Sequence, residues 1–385
     1  ETASVLIADE PTTALDVTVQ KSILELMRSL QTKHGMAIIF ISHDLGVIAE
    51  IAQDVIVMYQ GKIVESGPVT QVFNKPQHPY TRGLLACRPT LETRYRRLPT
   101  VGDFVNGKTH DTRLKEKIAP SGRSQKLLEI KNLKTYFPVR KGLFGRVRGH
   151  VRAVDDVSFD VFKGETLGLV GESGCGKTTL GRTILKLTEP TAGSIFFKDR
   201  DITALDNNNI RPLRREMQII FQDPYSSLNP RLPVSTAIIE PMTIHRLHGN
   251  DKNRKDKAME LLEKVNLDPS YFHRYPHELS GGQRQRICIA RALAVEPGFI
   301  ICDESVSALD VSIQAQILNL LNDLKEEYNM TYIFISHDMA VVKYMADRMV
   351  VMKEGRIEEM GNAEEIYKNP SSSYTIKLIE AIPKA

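Results

Sequence analysis

The sequence predicts an α/β fold: a parallel-sheet core with an antiparallel β subdomain and an α-helical subdomain. Three observations carry the expectation. The apolar run Thr166-Leu-Gly-Leu-Val170 leads into a glycine-rich loop and then a helix-compatible run, the order expected around a buried parallel strand. Two further apolar runs, from Phe299 and from Tyr332, end in polar groups, Asp303-Glu304 and His337. Parallel sheets present ligands at such C-terminal strand ends. Residues 127–133 alternate and 151–162 resume strand character, giving a small antiparallel sheet ahead of the core.

In chain order, residues 1–10 do not begin with Met and enter directly into a strand pattern, Val5-Leu-Ile-Ala8, closed by Asp9 and Glu10. There is no signal-peptide pattern, and the sequence reads as a chain cut within a domain. An internal repeat supports this. Asp9-Glu10 recur as Asp303-Glu304, Asp16 as Asp310, and His43 as His337, all at one offset (303 − 9 = 310 − 16 = 337 − 43 = 294). The register persists to Tyr80 and Tyr374 (374 − 80 = 294). The glycine-rich loop has no first copy, because 171 − 294 falls before residue 1. The expected organisation is therefore a truncated first copy over 1–90 that keeps Asp9, Glu10, Asp16 and His43, a polar and basic linker over 91–126, and a complete second copy over 127–385.

Within the second copy, Tyr136 and Phe137 precede Pro138, and residues 140–149 form a basic, glycine-punctuated excursion. The loop Gly171-Glu-Ser173-Gly174-Cys175-Gly176-Lys177-Thr178-Thr179 fits the phosphate-binding pattern GxxxxGK[ST] in its strand–loop–helix context. Its glycines let backbone N–H groups curl around an anion, and the helix start adds partial positive charge. Lys177 can reach the β- and γ-phosphates, and the Thr178 hydroxyl can ligate Mg²⁺. Residues 217–224 read as a short strand ending at a polar turn that contains Gln222, and 226–267 as helix-like, broken at Pro230, Pro233 and Pro241. Ser280-Gly281-Gly282-Gln283 reads as the capped, flexible entry of a helix, a second anion-binding device. Asp303 is placed to hold Mg²⁺, usually through water, and Glu304 to polarise an attacking water. His337 closes a third strand end at the same site.

Composition sets limits. With 42% hydrophobic and 25% charged residues the chain is ordinary globular material, and a net charge of +4 is no nucleic-acid signature. No apolar run approaches the roughly 20 residues of a membrane helix, so a membrane role has to run through partner subunits. Cys87, Cys175, Cys288 and Cys302 lack paired spacing, which suggests neither a disulfide framework nor a zinc site and points to a reducing compartment.

Together these motifs resemble the ATP-binding-cassette superfamily. Gly171–Thr179 matches its Walker A loop, Gln222 the Q-loop, 279–283 the signature, 299–304 Walker B, 307–310 the D-loop and His337 the switch histidine. The run 221–231, the basic excursion and the tail 74–82, with its weaker copy at 369–375, look like the oligopeptide/dipeptide/nickel importer ATPases. The resemblance implies a P-loop NTPase with a RecA-like core, ATP and Mg²⁺ as ligands, and hydrolysis with Glu304 and His337 as catalytic groups. Gln222 would assist catalysis and also touch the metal. It implies adenine stacking on Phe137 or, as second choice, Tyr136, and a site shared between one cassette's phosphate loop and another's Ser280–Gln283 segment. The implied partners are a second cassette, permease subunits and, indirectly, a solute-binding protein, with no nucleic acid. The implied location is peripheral, on the cytoplasmic face of the inner membrane. The competing expectations are a soluble tandem cassette acting on ribosomes or DNA, and a nucleotide-binding regulator without turnover. Zinc-type cysteine pairs and a long charged helical linker are absent from the sequence, and Glu304 and His337 are intact.

Overall fold

The computed structural model describes residues 4–12, 17–89, 95–108, 125–141 and 146–380. The chain divides into two units, one of residues 1–116, 309–319 and 376–385, the other of 117–308 and 320–375. Asp16 lies outside the described residues, as do 109–124 of the expected linker.

In the first unit the order is β1 (Val5–Asp9), α1 (Val17–His34), β2 (Ala37–Ile41), α2 (Leu45–Ile51), β3 (Asp54–Tyr59), β4 (Lys62–Pro68), α3 (Val69–Asn74), α4 (Pro79–Ala86) and α5 (Val101–Val105). β1 and β2 pair in parallel, and β3 and β4 pair as an antiparallel hairpin, giving two separate two-stranded sheets among the described residues. Their sequences are as apolar as core strands, yet Ile7 is 66% exposed, Ile56 61% and Ile63 62%. The stretch expected as a linker contains a helix. Thr100 and Asp103 cap α5, and Gly83 of α4 lies so close to Val101 that a Cβ there would fall 2.9 Å from its Cα. The polar composition hid this because the buried residues among those described there, Leu98, Pro99 and Val101, are few. Leu98 is buried, and its N–H and C=O are both matched by the Asn319 side chain, at 2.9 and 2.8 Å.

The second unit begins with β5 (Lys126–Lys141), β6 (Arg146–Phe162), β7 (Thr166–Val170), α6 (Lys177–Ile184), β8 (Ala192–Phe197), β9 (Arg200–Asp201), α7 (Asn207–Glu216) and β10 (Met217–Ile220). The chain continues with α8 (Val234–Ile244), α9 (Asp251–Lys264), α10 (Gly281–Leu293), β11 (Phe299–Asp303), α11 (Val311–Tyr328), β12 (Thr331–Ile335), α12 (Met339–Met345), β13 (Arg348–Lys353), β14 (Arg356–Asn362), α13 (Ala363–Lys368) and α14 (Ser373–Glu380), of which residues 311–319 of α11 and 376–380 of α14 belong to the first unit. β10-β11-β12-β7-β13-β14 form one sheet, parallel except for β14. β6-β5-β8-β9 form the antiparallel sheet. β7, β11 and β12 are buried throughout, which accounts for their unbroken apolar sequences.

Two expectations change. The basic excursion is largely paired strand: β5 runs through Pro138, opposite His150, and on to Lys141. Pro138 is tolerated because β5 has only β6 beside it there, β8 pairing no further along it than Lys134. The helix α8 runs through Pro241 instead of breaking at it. Pro241 forfeits one ladder bond, the one an N–H at that position would give to the Ala237 carbonyl, and the helix still closes beyond it, the His245 N–H donating to the Pro241 carbonyl at 3.1 Å.

The repeat extends to the backbone. Each element from β1 to α4 recurs 294 positions later as the elements from β11 to α14 (299 − 5 = 373 − 79 = 294). The hairpin irregularity between Val57 and Met58 recurs between Val351 and Met352. Glu10 and Glu304 share a left-handed φ of 46°.

Candidate functional site

The site grows from the C-terminal ends of β7, β12 and β11, which are tied together by backbone. The Ser336 N–H donates to the Leu169 carbonyl at 3.2 Å and the Glu304 N–H to the Ile335 carbonyl at 3.0 Å. After β7 the chain closes into the loop 171–176. Gly171 and Gly176 hold φ of 150° and 106°. A Cβ on Gly171 would lie 2.2 Å from the Met352 carbonyl oxygen, and one on Gly176 1.9 Å from that of Ala153. Glycine is therefore required twice over, by conformation and by space. Gly176 caps α6, so the helix's free N–H groups open onto the loop. Lys177 is buried, and its ammonium donates to the carbonyls of Gly171 at 2.7 Å and Glu172 at 2.9 Å.

Thr178, the second residue of α6, donates its hydroxyl to Asp303 Oδ1 at 2.8 Å. Asp303 is almost fully buried, and that burial pushes its carboxyl above the usual range. In a regular strand Asp303 and Glu304 would point to opposite faces. The left-handed turn at Glu304 breaks that alternation, and its carbonyl accepts from the Ser307 N–H and hydroxyl. Glu304 Oε2 accepts from Gln222 Nε2 at 2.8 Å and faces His337 Nδ1 at 3.6 Å. The His337 contact holds the Glu304 carboxyl below its ordinary value, and Glu304 raises the imidazole. His337 is set by the turn into α12, where Asp338 caps the helix and Ser336 accepts the Asp338 N–H.

Thus Lys177, Thr178, Asp303, Glu304, Gln222 and His337 come together. The Ser280–Gln283 segment forms a reciprocal cap at the start of α10, with Gln283 also donating to the Tyr271 hydroxyl at 3.0 Å. Its hydrogen bonds stay local and do not reach the loop. Phe137 is 43% exposed, whereas the Tyr136 hydroxyl is engaged with Asp155, itself paired with Arg356 at 2.7 Å. Of the two aromatics, Phe137 presents the freer face. In the first copy His43 Nδ1 and Glu10 Oε1 are 3.1 Å apart, the same pairing without a phosphate loop among the described residues. Sequence reasoning missed Tyr374, whose hydroxyl accepts the Glu172 N–H at 3.2 Å. Its signal was the repeated tail motif.

Comparison with known proteins follows the same lines. Residues 154–307 match the ABC transporter family, and residues 64–112 and 359–385 match the oligopeptide/dipeptide transporter C-terminal region. Residues 154–307 therefore belong to the ABC transporter family. It is 50% identical to the glutathione import ATP-binding protein GsiA of Salmonella paratyphi A over 386 aligned residues, covering 99% of this chain and 62% of that protein. The GsiA of Escherichia coli is likewise 50% identical, over 99% of this chain and 62% of its own. The chain therefore spans about three-fifths of the length of these relatives. Among solved structures, the dimeric post-hydrolysis state of the ATP-binding cassette MJ0796 bound to ADP and Pi aligns with a TM-score of 0.56 at 28% identity, covering 62% of this chain and 99% of that one. CbiO1 from Clostridium perfringens, part of the cbiONQ transporter complex, aligns with a TM-score of 0.55 at 26% identity, covering 64% and 92%. No helix among the described residues is long and apolar enough to cross a membrane.

Proposed function

We propose that this chain is an ATP-binding and ATP-hydrolysing subunit that powers import of peptides, of the glutathione, dipeptide or oligopeptide class, through membrane-embedded permeases. The observation that carries the proposal is the convergence of Lys177, the Thr178–Asp303 pair and the Gln222–Glu304–His337 cluster around one glycine loop. The class is supported by the glutathione-import names of the relatives and by the transporter C-terminal region that matches at the end of each copy. We infer from that import role a peripheral position on the cytoplasmic face of the inner membrane, with a solute-binding protein acting through the permeases. A soluble cassette working on ribosomes or DNA is not favoured by any of those names, and no nucleic-acid partner is proposed.

The loop N–H groups and the start of α6 bind the triphosphate, with Phe137 under the adenine. Lys177 exchanges its carbonyl partners for β- and γ-phosphate oxygens. Thr178 and Asp303 offer an all-oxygen donor set that fits Mg²⁺, and Gln222, donating its nitrogen to Glu304, keeps its amide oxygen for the same ion. When bound, Mg²⁺ would neutralise charge on the phosphates. Glu304 orients the attacking water, and His337 holds Glu304 and faces the γ-phosphate.

The site is completed by Ser280–Gln283 of a second cassette, a reading supported by the dimeric cassette of known structure. Residues 1–90 would be the back part of one cassette and 127–385 the other, joined by 91–126. Hydrolysis by this chain alone then depends on self-pairing. The test is ATPase rate per chain across a dilution series, with mass measured in parallel. A specific activity rising with concentration is expected. A fast, concentration-independent rate from a monomer would overturn the shared site, and failure to bind MgATP would overturn the whole proposal.

A further inference from the structure

We propose that Tyr374 is a positioning residue for the phosphate loop, through which the C-terminal tail sets nucleotide affinity. The proposal rests on reading 171–179 as the nucleotide site. The outer wall of the loop is held from the C-terminal side at three points. Gly171 packs on the Met352 carbonyl, the Gly355 N–H donates to the Cys175 carbonyl at 2.9 Å, and the Glu172 N–H donates to the Tyr374 hydroxyl at 3.2 Å. The first two are backbone contacts. The third hangs on one side-chain oxygen, so the sequence can remove it without disturbing the rest.

Tyr374 is itself firmly placed. Glu359 on β14 accepts the Ser371 N–H at 2.8 Å and the Ser372 N–H at 3.2 Å, and the Ser372 hydroxyl accepts the Tyr374 N–H at 3.2 Å. Lys353 Nζ lies 5.2 Å from the centre of the ring, which is 9% exposed. A hydrogen-bonded path therefore runs from β14 through the tail to the loop. Burial pushes the phenol up to about 12, so the hydroxyl keeps its proton.

The first copy carries the same scaffold. Glu65 accepts the Gln77 and His78 N–H groups at 2.8 and 3.0 Å, the same clamp at the same offset (359 − 65 = 371 − 77 = 294). There Tyr80 stacks on Tyr59 with ring centres 4.2 Å apart. The tail tyrosine thus packs in both copies, but among the described residues only Tyr374 touches a phosphate loop. A loop of backbone donors binds best when its conformation is set beforehand, because ordering it on binding costs affinity. Releasing the Glu172 N–H loosens the wall beside Gly171, leaving there the bonds that the Gly171 and Glu172 carbonyls accept from Lys177.

The experiment compares Tyr374→Phe with Tyr80→Phe in the full chain. A non-hydrolysable MgATP analogue is titrated, and amide exchange is followed by mass spectrometry. One net hydrogen bond corresponds to about three- to tenfold, so Tyr374→Phe should weaken binding by that much. Exchange should quicken in peptides spanning 171–176 and stay unchanged in β12 and β13. Tyr80→Phe should leave affinity within about twofold. Exchange that rises uniformly across the sheet would assign Tyr374 a purely structural role, and unchanged affinity in Tyr374→Phe would overturn the proposal while the parent's binding leaves the nucleotide site standing. Should Tyr374→Phe fail to fold, Glu359→Gln loosens the same path and must weaken binding in the same direction, or the proposal fails.

Discussion

Replacing Glu304 by Gln isolates the proposed chemistry from binding. The new side chain has the same shape and the same Cβ, so the left-handed backbone at φ 46° bears no added strain. Its amide oxygen can keep the Gln222 hydrogen bond now 2.8 Å long. The groups assigned to phosphate and metal, Lys177, Thr178 and Asp303, are untouched. What is lost is a charged acceptor for a water proton, held ionised by His337. A positioned base contributes about 10²- to 10⁴-fold, or roughly 2.7–5.5 kcal/mol of barrier. Phosphate release should fall by that factor, while MgATP affinity, read by equilibrium titration, should stay within about threefold. The His337 imidazole should also titrate lower than in the parent, visible by NMR, because Glu304 is the main cause of its elevation. Hydrolysis within about threefold of the parent would refute the assignment. A large loss of affinity would move Glu304 from the chemical step to binding.

Two other outcomes follow from the same geometry. Lys177→Ala removes a buried cation from the phosphates and should weaken MgATP binding at least tenfold by titration; unchanged affinity would place the nucleotide elsewhere. The Glu304–His337 pair makes stability depend on pH in two directions. Glu304, lowered from 4.5, contributes above that value and loses its contribution as pH falls through its folded pKa. His337, raised from 6.5, contributes fully below 6.5 and loses its contribution as pH rises through its folded pKa. Urea-denaturation midpoints of the parent should therefore exceed those of Glu304→Gln most between about pH 4.5 and 6.5, and a difference flat from pH 4 to 8 would exclude the pairing.

The loop and the strand ends were legible because their residues leave little freedom. Gly176 admits no side chain beside the Ala153 carbonyl, and the unbroken apolar runs of β7, β11 and β12 suit only a doubly covered parallel strand. The repeat was legible to the residue, since one offset held through every element. What stayed hidden was contact between distant segments. Nothing local to Asn319 announces that its amide reads both backbone groups of Leu98, 221 positions away, and nothing in the tail motif says that its tyrosine meets Glu172, 202 positions away. Gln222 was assigned by its place in a motif. Its bond to Glu304 needed the strands brought together.

The central place of β7 has a consequence for how the chain comes to be folded. Its two neighbours, β12 and β13, are made long after it: Thr331 follows Val170 by 161 residues (331 − 170). At about 5–20 residues per second that is roughly 8–30 s of synthesis during which the strand has no native partner. Through that interval its five residues, all buried in the finished sheet, must be shielded by contacts other than the final ones. The order of synthesis thus sets a kinetic problem that the finished sheet no longer displays.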